Sequence, residues 1–74
     1  MEAKQLVSNL ELPILSMGHK LALTALAETS LKVFPDCDDR KFDYIVYRFR
    51  NDFGYKEYKS WPVNDMEMVK EYGS

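Results

Sequence analysis

The sequence predicts an α+β fold: a small three-stranded antiparallel sheet packed on N-terminal helices, with a short C-terminal helix. Three observations predict it. Lys41 to Arg50 read Lys-Phe-Asp-Tyr-Ile-Val-Tyr-Arg-Phe-Arg, a run dense in aromatic and β-branched residues that suit a half-buried strand. Asn51-Asp52-Phe53-Gly54 follows as a turn signal, and Tyr55 to Trp61 reads as the returning strand of a hairpin. Upstream, apolar residues recur at helical spacing instead.

In the first helix, Ala3, Leu6, Val7 and Leu10 follow the i, i+3, i+4, i+7 pattern. Pro13 interrupts it and suits the first turn of a second helix, which runs to about Thr29. Ser8 and Glu11 also fit a capping box, which starts that helix earlier, at Asn9. Ile14, Leu21 and Ala25 form one apolar stripe on it, and Leu15, Ala22 and Leu26 an adjacent one.

Leu31, Val33 and Phe34 suit a short strand ended by Pro35, and Asp36 to Arg40 a polar loop. Period 2 on the central strand then puts Ile45, Tyr47 and Phe49 on the core side. With Leu21, Ala25 and Leu26 they make the expected core. Pro62 stops the return strand. Asn64 as N-cap, Glu67 three residues on, and Val63 with Met68 as a hydrophobic staple start the final helix, and Gly73 stops it.

The chain has 74 residues, which allows one domain, residues 1–74, and a small core. With 46% hydrophobic residues and a net charge of −2 it has the composition of a folded protein. No apolar run approaches the ~20 residues of a membrane span. The start Met1-Glu2-Ala3-Lys4-Gln5 lacks a secretory pattern, and the single Cys37 cannot form an internal disulfide. The expectation is a cytoplasmic protein.

Catalytic and metal chemistry find little to stand on. Counted as a calcium loop from Asp36, the glycine position holds Lys41 and the closing glutamate position holds Tyr47. Cys37 and His19 are too few for a structural zinc site and carry no nucleophile signature around them. Gly18, Gly54 and Gly73 are scattered, so no phosphate loop exists. The expectation is a non-enzymatic protein with no cofactor, no metal and no membrane partner.

Charge is unevenly spread. Residues 1–39 carry net −3, residues 40–60 net +3, and residues 61–74 net −2. Eight aromatics also fall between Phe42 and Trp61, over and just past the basic stretch. Tyr, Trp and Arg dominate protein-binding hot spots, so the first functional reading is a small regulatory protein. It would act by protein–protein interaction, in the style of phage-encoded inhibitors of host enzymes. The expected partner-binding residues are Tyr44, Arg48, Arg50, Phe53, Tyr55, Lys56, Tyr58, Lys59 and Trp61. The alternative is a nucleic-acid-binding domain using Arg48, Arg50, Lys56 and Lys59. The acidic overall balance opposes it, because backbone affinity rests on cationic contacts. A homodimer that buries an exposed apolar face is the third arrangement.

The order strand, strand, strand, helix from Leu31 to Tyr72 is similar in layout to plant AP2 and phage-integrase arm-binding DNA domains. With a helix in front it also resembles the double-stranded-RNA-binding fold. Where that family has a lysine cluster, this chain has Asn64-Asp65-Met66-Glu67, which repels phosphate.

Overall fold

The computed structural model describes residues 2–10, 17–53 and 65–74, and all of its regular structure there is helical. Four helices follow in order: α1 (Ala3–Ser8), α2 (Met17–Val33), α3 (Asp39–Phe53) and α4 (Met66–Tyr72). The expected three-stranded sheet and α+β class are therefore overturned. The first predicted strand, from Leu31, runs into the end of α2, and the central strand, Lys41–Arg50, lies wholly within α3. Asn51 to Phe53 of the predicted turn continue α3, while the return strand, Tyr55–Trp61, lies outside the described residues. With no strands described, the layout resemblances to sheet-based nucleic-acid-binding folds lose their basis.

The reason α3 is a helix lies in its apolar residues. Phe42, Ile45, Val46 and Phe49 stand at i, i+3, i+4 and i+7, which is one face of a helix. All four are buried, at 0, 0, 3 and 0% exposure. The same run also satisfies a strand's preference for β-branched and aromatic side chains, but that preference is context-dependent and yields to burial of a whole face. Each of these side chains contributes about 1.5–3 kcal/mol by leaving water.

A cap starts the helix at the acidic loop. Asp38 Oδ1 accepts the Lys41 N–H at 2.8 Å, and its carbonyl accepts the Phe42 N–H at 3.0 Å. This is the N-cap arrangement, in which a short acidic side chain satisfies an otherwise orphaned amide. Asp39 in the first turn and Arg50 in the last complement the helix dipole. Asn9, the C-cap of α1, donates to both carboxylate oxygens of Asp39 at 3.1 Å and ties the two helix ends together.

The long helix α2 runs past the predicted end to Val33. It buries Ala22, Leu23, Leu26 and Ala27, the neighbourhood of the second predicted stripe, and leaves Leu21 65% exposed and Ala25 half-buried. Tyr47, also expected in the core, is 62% exposed. Thr29 and Ser30 are buried, and their hydroxyls donate back to the carbonyls of Ala25 (3.1 Å) and Leu26 (2.7 Å). That local bond removes the cost of an unpaired hydroxyl in the core. Leu6 of α1 and Val69 and Tyr72 of α4 complete the buried cluster.

Candidate interaction face on α3

With one face of α3 buried, the 3.6-residue period places Arg40, Asp43, Tyr44, Tyr47 and Asn51 on the opposite face. All five are exposed. Tyr44 is 46% and Tyr47 62% accessible, on a helix held rigidly by Phe42, Ile45, Val46 and Phe49. Exposed tyrosines on a fixed backbone offer large contact area at small entropic cost, with only two side-chain torsions each to order.

Arg48 flanks this face, one turn beyond Tyr44. Its guanidinium carbon lies 5.9 Å from the centre of the Tyr44 ring. Its Nη1 also donates to the backbone oxygen of Glu71 and, at 3.2 Å, to that of Ser74. Lys41, seven residues earlier on α3, donates through Nζ to the Gly73 carbonyl and sits 4.4 Å above the Phe34 ring. Two cations of α3 thus cap the carboxyl-terminal end of α4, where positive charge is favoured by the unpaired carbonyls and the dipole.

Of the predicted site residues, α3 carries Tyr44, Arg48, Arg50 and Phe53, and it brings Tyr44 and Arg48 together. Arg50 is half-buried and has its own interactions. Tyr55, Lys56, Tyr58, Lys59 and Trp61 lie outside the described residues. The hairpin that was to gather them is replaced, up to Phe53, by a helix. Sequence reasoning assigned Tyr47 to the core and placed Arg40 in a polar loop, not on a helix face with it. Their spacing of seven, on the side opposite the Phe42–Phe49 stripe, was the available signal.

Cys37 is buried at 5% exposure, and burial, reinforced by the Asp38 charge and opposed by Lys41, pushes its thiol pKa up. A thiol so placed is a poor nucleophile. His19 stands near the start of α2, whereas the Cys37 amide donates to the Phe34 carbonyl just past its end. From His19 to Val33 the helix rises about 21 Å, so the two residues sit at opposite ends and form no catalytic pair. The acidic loop is explained by Asp38 capping α3 and Asp39 accepting from Asn9. Among the described residues no group of three or more metal-ligand side chains occurs. Among them, too, no helix is long and apolar enough to cross a membrane.

No family model, curated protein or solved structure matches this chain.

Proposed function

We propose that the chain is a non-catalytic binding module that docks on a larger protein through the exposed face of α3. The observation that carries this reading is the pair Tyr44 and Tyr47, 46% and 62% exposed on a helix whose other face is fully packed. Tyrosine and arginine are the types enriched at the energetic centres of interfaces, and a helix side seated in a partner's groove is a common recognition mode. Such a module regulates by occupying a surface, so it needs no reactive group of its own. The nucleic-acid alternative asks Arg48, Arg50, Lys56 and Lys59 to act together. Arg48 is already engaged at the end of α4, and the two lysines lie outside the described residues.

Site-specific photo-crosslinking tests the reading. A photoreactive amino acid in place of Tyr47 is expected to give a defined protein adduct in extract from the native host. The same probe at Glu28, exposed on α2, should not. Unlabelled wild-type chain should suppress the adduct, and a Tyr44→Ala, Tyr47→Ala competitor should fail to do so. Hot-spot tyrosines typically cost 2 kcal/mol or more on truncation, about a thirtyfold loss of competition. Equal competition by both chains would remove the α3 face from consideration.

A further inference from the structure

Arg40 and Asp52 stand at the wrong ends of α3 for its own dipole. Arg40 lies in the first turn and Asp52 in the last, where a cation and an anion respectively are disfavoured. Both are exposed, and among the described residues neither is held by a hydrogen bond or an ion pair. Twelve positions separate them, about 18 Å along the helix, and the exposed Tyr44 and Tyr47 lie between. The α3 helix by itself gains nothing from this placement of charge. A second helix running the opposite way would.

We propose that the exposed face of α3 takes a second copy of the chain, the two α3 helices lying antiparallel about a two-fold axis at the level of Val46. In that register Arg40 meets the partner's Asp52, and by symmetry Asp52 meets the partner's Arg40. Each of these charges then lies against its opposite and near the end of the other helix that favours its sign. Tyr44 and Tyr47 interdigitate with the partner's Tyr47 and Tyr44, and an interface on a two-fold axis has to be self-complementary in this way. Parallel pairing fails on the same residues. It stacks Arg40 on the partner's Arg40 and sets the two dipoles side by side in the same sense. One face of a 15-residue helix, about 22 Å long, buries less than the about 1,200 Å² of a stable interface. The pair is therefore reversible, with a Kd on the order of 100 µM. This goes beyond the docking reading, since a larger partner would take the same tyrosines in competition with the second copy.

Sedimentation equilibrium of the full chain alone, at low ionic strength and from about 10 µM to about 1 mM, tests the pairing. A monomer–dimer equilibrium is expected. Arg40→Asp and Asp52→Arg each set like charges opposite one another twice, and each should weaken the dimer about fivefold. The double variant restores both pairs in reverse and should return to within about twofold of wild type. Both substitutions suit the dipole of α3, so loss of the helix cannot account for a weakened dimer. Tyr47→Ala should weaken it about tenfold or more. A monomer at every concentration overturns the proposal, as does a dimer indifferent to Tyr47→Ala. Single charge variants as tight as wild type, or a double variant no tighter than the singles, overturn it too. No larger partner is present, so failure here leaves the crosslinking result standing, and failure of crosslinking leaves the dimer standing.

Discussion

Phe34, just past the end of α2, and Gly73, the C-cap of α4, approach so closely that a Cβ on Gly73 would fall on the edge of the Phe34 ring. The glycine is not there for its backbone freedom. Gly73 has φ −91° and ψ −1°, a right-handed conformation open to any residue. Space, not torsion, selects it. Lys41 closes the same junction from α3, so the ends of α2 and α4 and the start of α3 meet at three residues.

Gly73→Ala therefore has two opposing effects. In this backbone region an alanine stabilises by reducing unfolded-state freedom, by about 0.4–1 kcal/mol. Overpacking against Phe34 costs about 1–3 kcal/mol. The steric term is larger, so Gly73→Ala is expected to destabilise, and Phe34→Leu in the same chain to recover part of the loss. Urea denaturation of the two single variants and the double variant checks this. Gly73→Ala more stable than wild type would sink it.

The faces of α3 make a sharper test. Phe49→Ala should cost about 3–5 kcal/mol, enough to unfold most of a domain this small. Tyr47→Ser should stay within about 0.5 kcal/mol of wild type. A strand with period 2 would make both residues equally costly, because it puts them on one side. Melting temperatures of the two variants decide between the periods.

Tyr72 gives a pH dependence with a definite sign. Burial first, then the Asp52 charge, pushes its pKa from the usual 10 up to about 12. The folded state favours the protonated phenol, so its contribution is fully present below pH 10. It is lost as pH rises from 10 towards 12. Tyr72→Phe removes that dependence and also a buried hydroxyl with no hydrogen-bond partner among the described residues, so at neutral pH it is expected to be neutral or stabilising by up to about 1 kcal/mol. Parallel denaturation curves of wild type and Tyr72→Phe at pH 7 and pH 11 measure both effects. The gap between them should widen at pH 11. A destabilising Tyr72→Phe would mean that the hydroxyl is bonded.

Cys37 should be slow towards thiol reagents at pH 8 in the native chain and fast in denaturant, since burial both shields it and disfavours its thiolate. Ellman titration with and without urea reads the ratio. Equal rates would place the sulfur at the surface.

Several elements were legible along the chain because their signals are local. The stripe Ala3, Leu6, Val7 and Leu10 announced α1, whose helix spans Ala3–Ser8. The acid- and amide-rich start before Met66 announced α4, although the cap is Asp65, which accepts from the amides of Glu67 (3.0 Å) and Met68 (3.3 Å). α3 was misread because Phe42, Tyr44, Ile45, Val46, Tyr47 and Phe49 favour a strand by residue type and a helix by spacing. The decisive cue was Asp38, three residues ahead of Lys41, which was taken as part of a polar loop. The candidate face inherited the error: Tyr44 and Arg48 stood on the predicted surface, while Tyr47 was assigned to the core.

By itself the sequence determined the first and last helices and the Gly73 stop, because these depend on neighbours within a turn or two. It also determined the concentration of rings and cations after residue 40. Tertiary structure alone decided which way the 41–50 run would wind, since burying Phe42, Ile45, Val46 and Phe49 against Leu26 and Val69 in one cluster outweighs local strand preference. It alone decided, too, that Lys41 and Arg48 cap α4 and that Gly73 yields to Phe34. These contacts join residues 23 to 39 positions apart, and no local pattern encodes a contact at that distance.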